Sequence, residues 1–148
     1  MKTIAFNFTK VLAERPKKFK TGYRMSTNIS FLNIEKEENA QEKEDAELIR
    51  VSFNYSVVYE IENEAKGSEN SGEVSLTGFI MLIASKKEAK DLLDAWEKKE
   101  IPNTFKVQLF NLILRKCSVR ALQMEEEMGL PLHMPLPQVR VGKKDDKK

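Results

Sequence analysis

A long helical pattern starts after Pro102 and ends at Gly129, and its apolar residues occupy more than one face of the predicted helix. One apolar stripe advances by alternating steps of three and four residues, the spacing of an amphipathic helix. This stripe consists of Val107, Phe110, Leu114, Cys117, Ala121, Met124 and Met128, whereas Phe105, Leu109, Leu112 and Ile113 lie off it. One helix face can cover a sheet, and the remaining apolar surface then requires another subunit or another polypeptide. The pattern therefore favours a binding protein over an enzyme.

Both ends of this helix are marked in the sequence. Asn103 is predicted to cap the first turn, and Gly129 suits the left-handed residue that commonly ends a helix. A helix over residues 104–128 would be about 37 Å long. Pro131 prevents the helix from resuming, and residues 130–137 form a segment rich in leucine and proline, called the Leu/Pro segment below.

Alternation of apolar and polar residues predicts four strands before the helices. Residues 49–61 carry an apolar side chain at every odd position and mostly polar side chains between them, which indicates a strand with one solvated face. Residues 23–31 alternate in the same way, and residues 4–8 begin another strand. The fourth strand, at residues 74–84, follows a predicted hairpin loop at residues 67–72, and its second half is apolar on both faces.

The order of these elements predicts the fold class. Ser85 and Glu88 form a capping-box pattern that starts a shorter helix before the long one. Four antiparallel strands followed by two helices predict an α+β fold with the long C-terminal helix packed on one face of the sheet. We expect one domain over residues 1–141 and a disordered Lys-rich tail at residues 142–148. The acid-rich residues 35–47 are predicted to be a solvated connection, with docking of a basic partner as the alternative.

The charged residues are many but balanced, with 25 basic and 23 acidic residues and a formal net charge of +2. This balance argues against nucleic acid as a partner, although a basic cluster with interleaved aromatics at residues 15–23 leaves single-stranded nucleic acid as a minor alternative. A single cysteine excludes an intrachain disulfide and fits a reducing compartment. No apolar run suits a signal peptide or a membrane span, so a cytoplasmic location without membrane insertion is predicted.

The residues that could carry chemistry are few. Cys117 lies on the apolar helix stripe and is predicted to be a core residue rather than a nucleophile. His133, the single histidine, is predicted to be a partly exposed loop residue, with a pH-sensitive contact as the alternative. Glu125 and its two acidic neighbours are predicted to form a solvated helix end. No spaced set of metal ligands and no phosphate-binding loop occurs, so we predict no enzyme activity, no metal and no cofactor.

The order of elements resembles the SecB family of export chaperones and its SecB-like relatives. Family members have a four-stranded antiparallel sheet, a long helix and a Leu/Pro stretch, and residues 104–128 and 130–137 match the last two. The resemblance implies protomers that pair, pairs that assemble as a tetramer, and apolar grooves that hold unfolded clients without ATP or a cofactor. We therefore expect a homo-oligomer, either a dimer or a tetramer. Two features differ: no second helix follows the Leu/Pro segment, and the end of the chain is basic rather than acidic.

Two sets of site residues follow from this resemblance and from the apolar pattern. Met and Phe side chains give adaptable contacts to varied clients. The predicted client-binding residues are Phe79, Met81, Ile83, Leu130, Leu132, Met134 and Leu136. The predicted oligomer interface, or core, comprises Val107, Phe110, Leu114, Cys117, Ala121 and Met124. The predicted function is ATP-independent binding of unfolded or partly folded polypeptides, and the alternative is an interaction subunit with one dedicated protein partner.

Overall fold

A computed structural model describes residues 1–17, 23–38, 45–61 and 71–141. Its elements are β1 (Lys2–Glu14), β2 (Tyr23–Lys36), β3 (Ala46–Ile61), β4 (Gly72–Ser85), α1 (Lys86–Glu97) and α2 (Asn103–Met128). The predicted tail at residues 142–148 and most of the predicted hairpin loop at residues 67–72 lie outside the described residues. The α+β class is confirmed.

The four strands form one antiparallel sheet in the order β1-β4-β3-β2. β4 therefore lies between β1 and β3 and is hydrogen-bonded to a neighbouring strand along both of its edges. The inward side chains of β3 are all at most 1% exposed: Ile49, Val51, Phe53, Tyr55, Val57 and Tyr59. This face of the sheet packs against the two helices and carries the hydrophobic core.

Gly78 permits close packing in the middle of the sheet. It pairs with Phe53 on β3 and with Phe8 on β1, next to a register shift between Phe8 and Lys10. A Cβ atom at Gly78 would lie 2.2 Å from the carbonyl oxygen of Asn7 and 3.0 Å from Cζ of Phe53. Only a residue without a side chain fits between these atoms.

The helix termini agree with the sequence in two places and differ in one. The capping box is confirmed, since the Glu88 amide donates to Ser85 Oγ and the Ser85 amide donates to the Glu88 carboxylate, both at 3.1 Å. Gly129 has a φ of 66° and ends α2, as predicted. The prediction that Asn103 caps α2 was wrong. The cap is Pro102, whose carbonyl accepts from the Lys106 amide at 3.1 Å, and Asn103 is already helical.

Candidate functional site

The predicted interface stripe of α2 divides between the core and the surface. Cys117, Ala121 and Met124 face the sheet and are at most 7% exposed. A buried side chain has no surface to offer a second subunit, so these three are core residues of the single chain. Val107 and Leu114 are 56% and 38% exposed and remain available to another chain.

The helix is rotated relative to the predicted stripe. The residues of α2 that cover the sheet also include Phe105, Leu109 and Ile113, which the stripe had left out. Phe110 lies at the flank, half-buried, with its ring 4.9 Å from the ring of Phe31. Sequence periodicity cannot choose between two apolar stripes on one helix, because each alone has the correct spacing.

The predicted client-binding residues of β4 lie on the sheet face that points away from the helices. Phe79, Met81 and Ile83 alternate with the buried core positions of the strand. Both helices pack on the opposite face, which carries the hydrophobic core. Arg50 lies over the Phe79 ring, 4.0 Å from its centroid, and also donates to Glu37 at 3.0 Å. Phe79 and Ile83 are partly exposed, whereas Met81 is 8% exposed.

The Leu/Pro segment lies on the other side of the molecule, against α2. Leu130 follows Gly129 directly at the end of α2. It is 5% exposed and belongs to the core. Leu132 and Leu136 line a groove of about 660 Å³ together with Leu122 of α2. Met134 is 41% exposed. The two halves of the predicted client site therefore do not form one groove. Phe79, Met81 and Ile83 of β4 project from one face of the sheet, and the Leu/Pro segment lies on the other face.

A buried polar network joins the Leu/Pro segment to α2 and β3. Glu125 is fully buried, although the sequence predicted a solvated helix end. Its carboxylate accepts hydrogen bonds from the Tyr59 hydroxyl, from the His133 amide at 3.2 Å and from His133 Nδ1 at 2.8 Å. The Tyr59 hydroxyl also lies 2.9 Å from the carbonyl oxygen of Pro131. This carboxylate therefore anchors the first half of the Leu/Pro segment.

His133 is a partly exposed loop residue, as predicted, but its imidazole ring is buried. Its side chain is 6% exposed, and its Nε2 lies 2.9 Å from the Tyr55 hydroxyl. The imidazole tautomer with its proton on Nδ1 donates to Glu125 and accepts from Tyr55, so every polar atom of the ring is satisfied. The Tyr55 hydroxyl is also 3.5 Å from Ser118 Oγ.

Both tyrosine hydroxyls are held in their neutral form. Burial, followed by the hydrogen bond and the charge of Glu125, raises the pKa of Tyr59. Burial likewise raises the pKa of Tyr55, against a smaller lowering effect of Ser118. A signal for this network exists in the sequence, because two tyrosines at inward positions of β3 need polar partners from the element that covers them.

Another concave region is lined by three aromatic residues, of which the sequence analysis assigned only Phe110 to a predicted site. It measures about 530 Å³ and is formed by Phe31, Trp96, Glu97, Lys99, Ile101, Lys106 and Phe110. The region lies where β2, the end of α1 and the start of α2 meet. We call it the aromatic pocket below.

The single cysteine of the chain is buried in the core. Burial raises the pKa of the Cys117 thiol to about 12, so this sulfur stays protonated and is a poor nucleophile at neutral pH. Within the described ranges, no three residues of the metal-ligating types form a cluster that could hold an ion. None of the helices in the described part of the chain is long and apolar enough to cross a membrane.

Comparison with known proteins found a similar fold among the solved structures. No family model and no curated protein matches the sequence. A solved structure does match: a SecB-like chaperone of Mycobacterium tuberculosis in complex with a ChAD peptide from the HigA1 antitoxin. The alignment has a TM-score of 0.51 and 9% identity, and it covers 94% of this chain and 89% of the other. The fold is SecB-like. At this identity the likeness concerns the fold, and the roles of individual residues must be argued from the residues themselves.

Proposed function

We propose that this chain is a holdase chaperone that binds unfolded or partly folded polypeptides without ATP or a cofactor. The proposal includes self-association into a dimer or tetramer and a cytoplasmic location. The proposed cellular role is protein export, general binding of unfolded clients or chaperoning of one dedicated client such as an antitoxin.

Exposed apolar surface on three sides of a SecB-like fold carries this proposal. The outer face of α2 offers Val107 and Leu114, and the groove beside α2 offers Leu136, which is 49% exposed. The open sheet face offers the partly exposed Phe79 and Ile83. Apolar patches that a domain leaves exposed instead of burying in its own core are typical of surfaces that bind another protein. The antitoxin peptide in the similar structure supports a polypeptide as the ligand.

The alternative is an interaction subunit with one fixed partner. It is favoured by the position of Val107 and Leu114, which lie two turns apart on one side of a regular helix. A straight apolar row on a helix suits a single complementary groove. Val119 is 58% exposed on the same helix but lies about 120° around the helix from Val107, so it is not part of this row.

Solution mass tests the proposal against this alternative. Light scattering should give a dimer or tetramer, and its mass should rise when a reduced, permanently unfolded protein is added. The same complex should suppress aggregation of several unrelated proteins. Tight binding of one protein with no effect on the others would favour the dedicated subunit. A monomer that ignores every client would refute the chaperone proposal.

Leu132 and Leu136 provide a local prediction. Replacing both with aspartate should weaken client binding about tenfold or more, because burial of a leucine side chain contributes about 1.5–3 kcal/mol and charge is excluded from an apolar contact. Titration of a fluorescent unfolded client measures the change. Val139→Asp is the matched control, since Val139 is fully exposed and should leave affinity unchanged. Equal affinity of the double variant and the wild type would place client binding outside this groove.

A further inference from the structure

The aromatic pocket is apolar at its base. The Phe31 ring lies 4.9 Å from the Phe110 ring and 6.2 Å from the Phe105 ring, so the three form one aromatic cluster at this edge of the core. Phe31, Trp96 and Phe110 are each partly exposed and line the pocket, and Ile101 closes it. Such a surface suits an apolar side chain, since rings give a large contact area with few rotatable bonds.

The rim of the pocket carries two lysines, Lys99 and Lys106. Among the described residues, neither ammonium group takes part in an ion pair. Glu97 lies on the same rim, so the three charged groups leave a net positive charge. An incoming carboxylate can thus meet an ammonium group that has no competing carboxylate bound to it.

The backbone at Lys99 gives a second, independent observation. Lys99 has a φ of 58°, in the left-handed region that favours glycine. It ends α1 in a Schellman motif, in which the Glu100 amide donates to the Ala95 carbonyl at 2.9 Å and the Lys99 amide to the Trp96 carbonyl at 3.1 Å. The same position at the end of α2 is occupied by Gly129. A strained lysine where glycine would be more stable points to a role for its side chain.

We infer that the aromatic pocket binds an apolar side chain that is flanked by a carboxylate in the client polypeptide. The inference rests on the proposed function and adds a client preference to it. The rings of Phe31, Trp96 and Phe110 hold the apolar side chain, and Lys99 and Lys106 hold the neighbouring carboxylate. Clients with acidic residues beside apolar ones are therefore preferred over clients with neutral or basic residues there.

Trp96 makes this test direct, because it is the single tryptophan of the chain. The probes are three acetylated peptides without Trp or Tyr, identical except that the residues flanking one central Phe are Glu, Gln or Lys. Each is titrated into the full-length protein while Trp96 emission is followed. The Glu peptide is expected to bind about fivefold more tightly than the Gln peptide, in line with modest energies for exposed ion pairs. The difference should shrink at high salt.

Two variants test whether the rim residues Lys99 and Lys106 cause the preference for the Glu peptide. Lys106→Gln and Lys99→Gly should each reduce the advantage of the Glu peptide and leave affinity for the Gln peptide unchanged. Lys99→Gly should also raise Tm, because glycine adopts the required φ without strain, so a loss of preference cannot be ascribed to misfolding. Lys87→Gln, an exposed residue of α1 outside the pocket, is the charge-matched control and should keep the wild-type preference.

The outcomes separate this inference from the proposed function. Equal affinity for the three peptides with a Trp96 response would overturn the acidic preference but leave polypeptide binding intact. Binding that leaves Trp96 emission unchanged would overturn the pocket as the site. A response to short fatty acids together with none to any peptide would assign the pocket to small amphipathic carboxylates and overturn the inference. Absence of all client binding, including suppression of aggregation, would refute the proposed function and the inference with it.

Discussion

Replacing Glu125 with alanine is expected to lower the free energy of unfolding by about 3 kcal/mol and Tm by about 10 °C. The change removes one of the two acceptors beside the Tyr59 hydroxyl and the acceptor for both nitrogen donors of His133. A buried donor without an acceptor lowers the free energy of unfolding by more than one hydrogen bond normally raises it. Thermal and urea unfolding, followed by circular dichroism, measure the loss.

Glu125→Gln is the conservative partner of that variant. The glutamine oxygen can accept from the His133 amide and Nδ1, and its amide nitrogen can donate to the Tyr59 hydroxyl, which then donates to the Pro131 carbonyl. We expect a loss of about 1 kcal/mol or less for this variant. Equal stability of the alanine variant and the wild type would show that the network does not hold the Leu/Pro segment in solution.

The network also connects stability with the proposed groove. Leu132 lies between Pro131 and His133, the two residues of the segment that the Glu125 network holds. Glu125→Ala should therefore release the segment and increase its cleavage by protease at residues near Leu132, while Val139→Asp should not. Protease mapping of the two variants under native conditions distinguishes local release from global unfolding.

Gly78→Ala is the second change with a large expected effect, a loss of about 2–3 kcal/mol of stability. The new methyl group would lie 2.2 Å from a backbone oxygen of β1, so β1 and β4 must separate. Gly72→Ala is the control at a looser position, where the nearest atoms would be 3.0 Å away, and its loss should be smaller. Equal effects of both variants on urea unfolding would contradict the close approach at Gly78.

Local patterns were sufficient to predict the strands and most helix ends. Period-two alternation placed the inward side chains of β3 correctly, because neighbouring residues of a strand point to opposite faces. The Ser85–Glu88 capping box and the left-handed Gly129 were also predictable, because both depend on residues within one turn of the chain. Asn103 shows the limit of such local rules, since Pro102 occupies the cap and the two residues compete for one position.

The packing of helices on the sheet determined which residues of the candidate sites are exposed and which lie close together. The sequence showed that β4 has two apolar faces and that α2 has more than one apolar side, yet it held no information on which face meets which side. Only tertiary packing placed Phe79 and Leu132 on opposite sides of the sheet, moved Cys117 into the core and left Val107 exposed. Only packing brought Phe31 next to Phe110.

Glu125 and His133 show the same difference between what the sequence determines and what only the tertiary structure decides. By itself, the sequence determined a four-stranded sheet, a capped long helix and an excess of apolar surface, because these follow from the spacing of residues along the chain. The tertiary structure decided that an acidic residue near a helix end is fully buried, since its partners come from β3 and from the segment after the helix. A carboxylate with hydrogen-bond donors on several sides is stable inside the protein, and those donors are adjacent only in the folded chain.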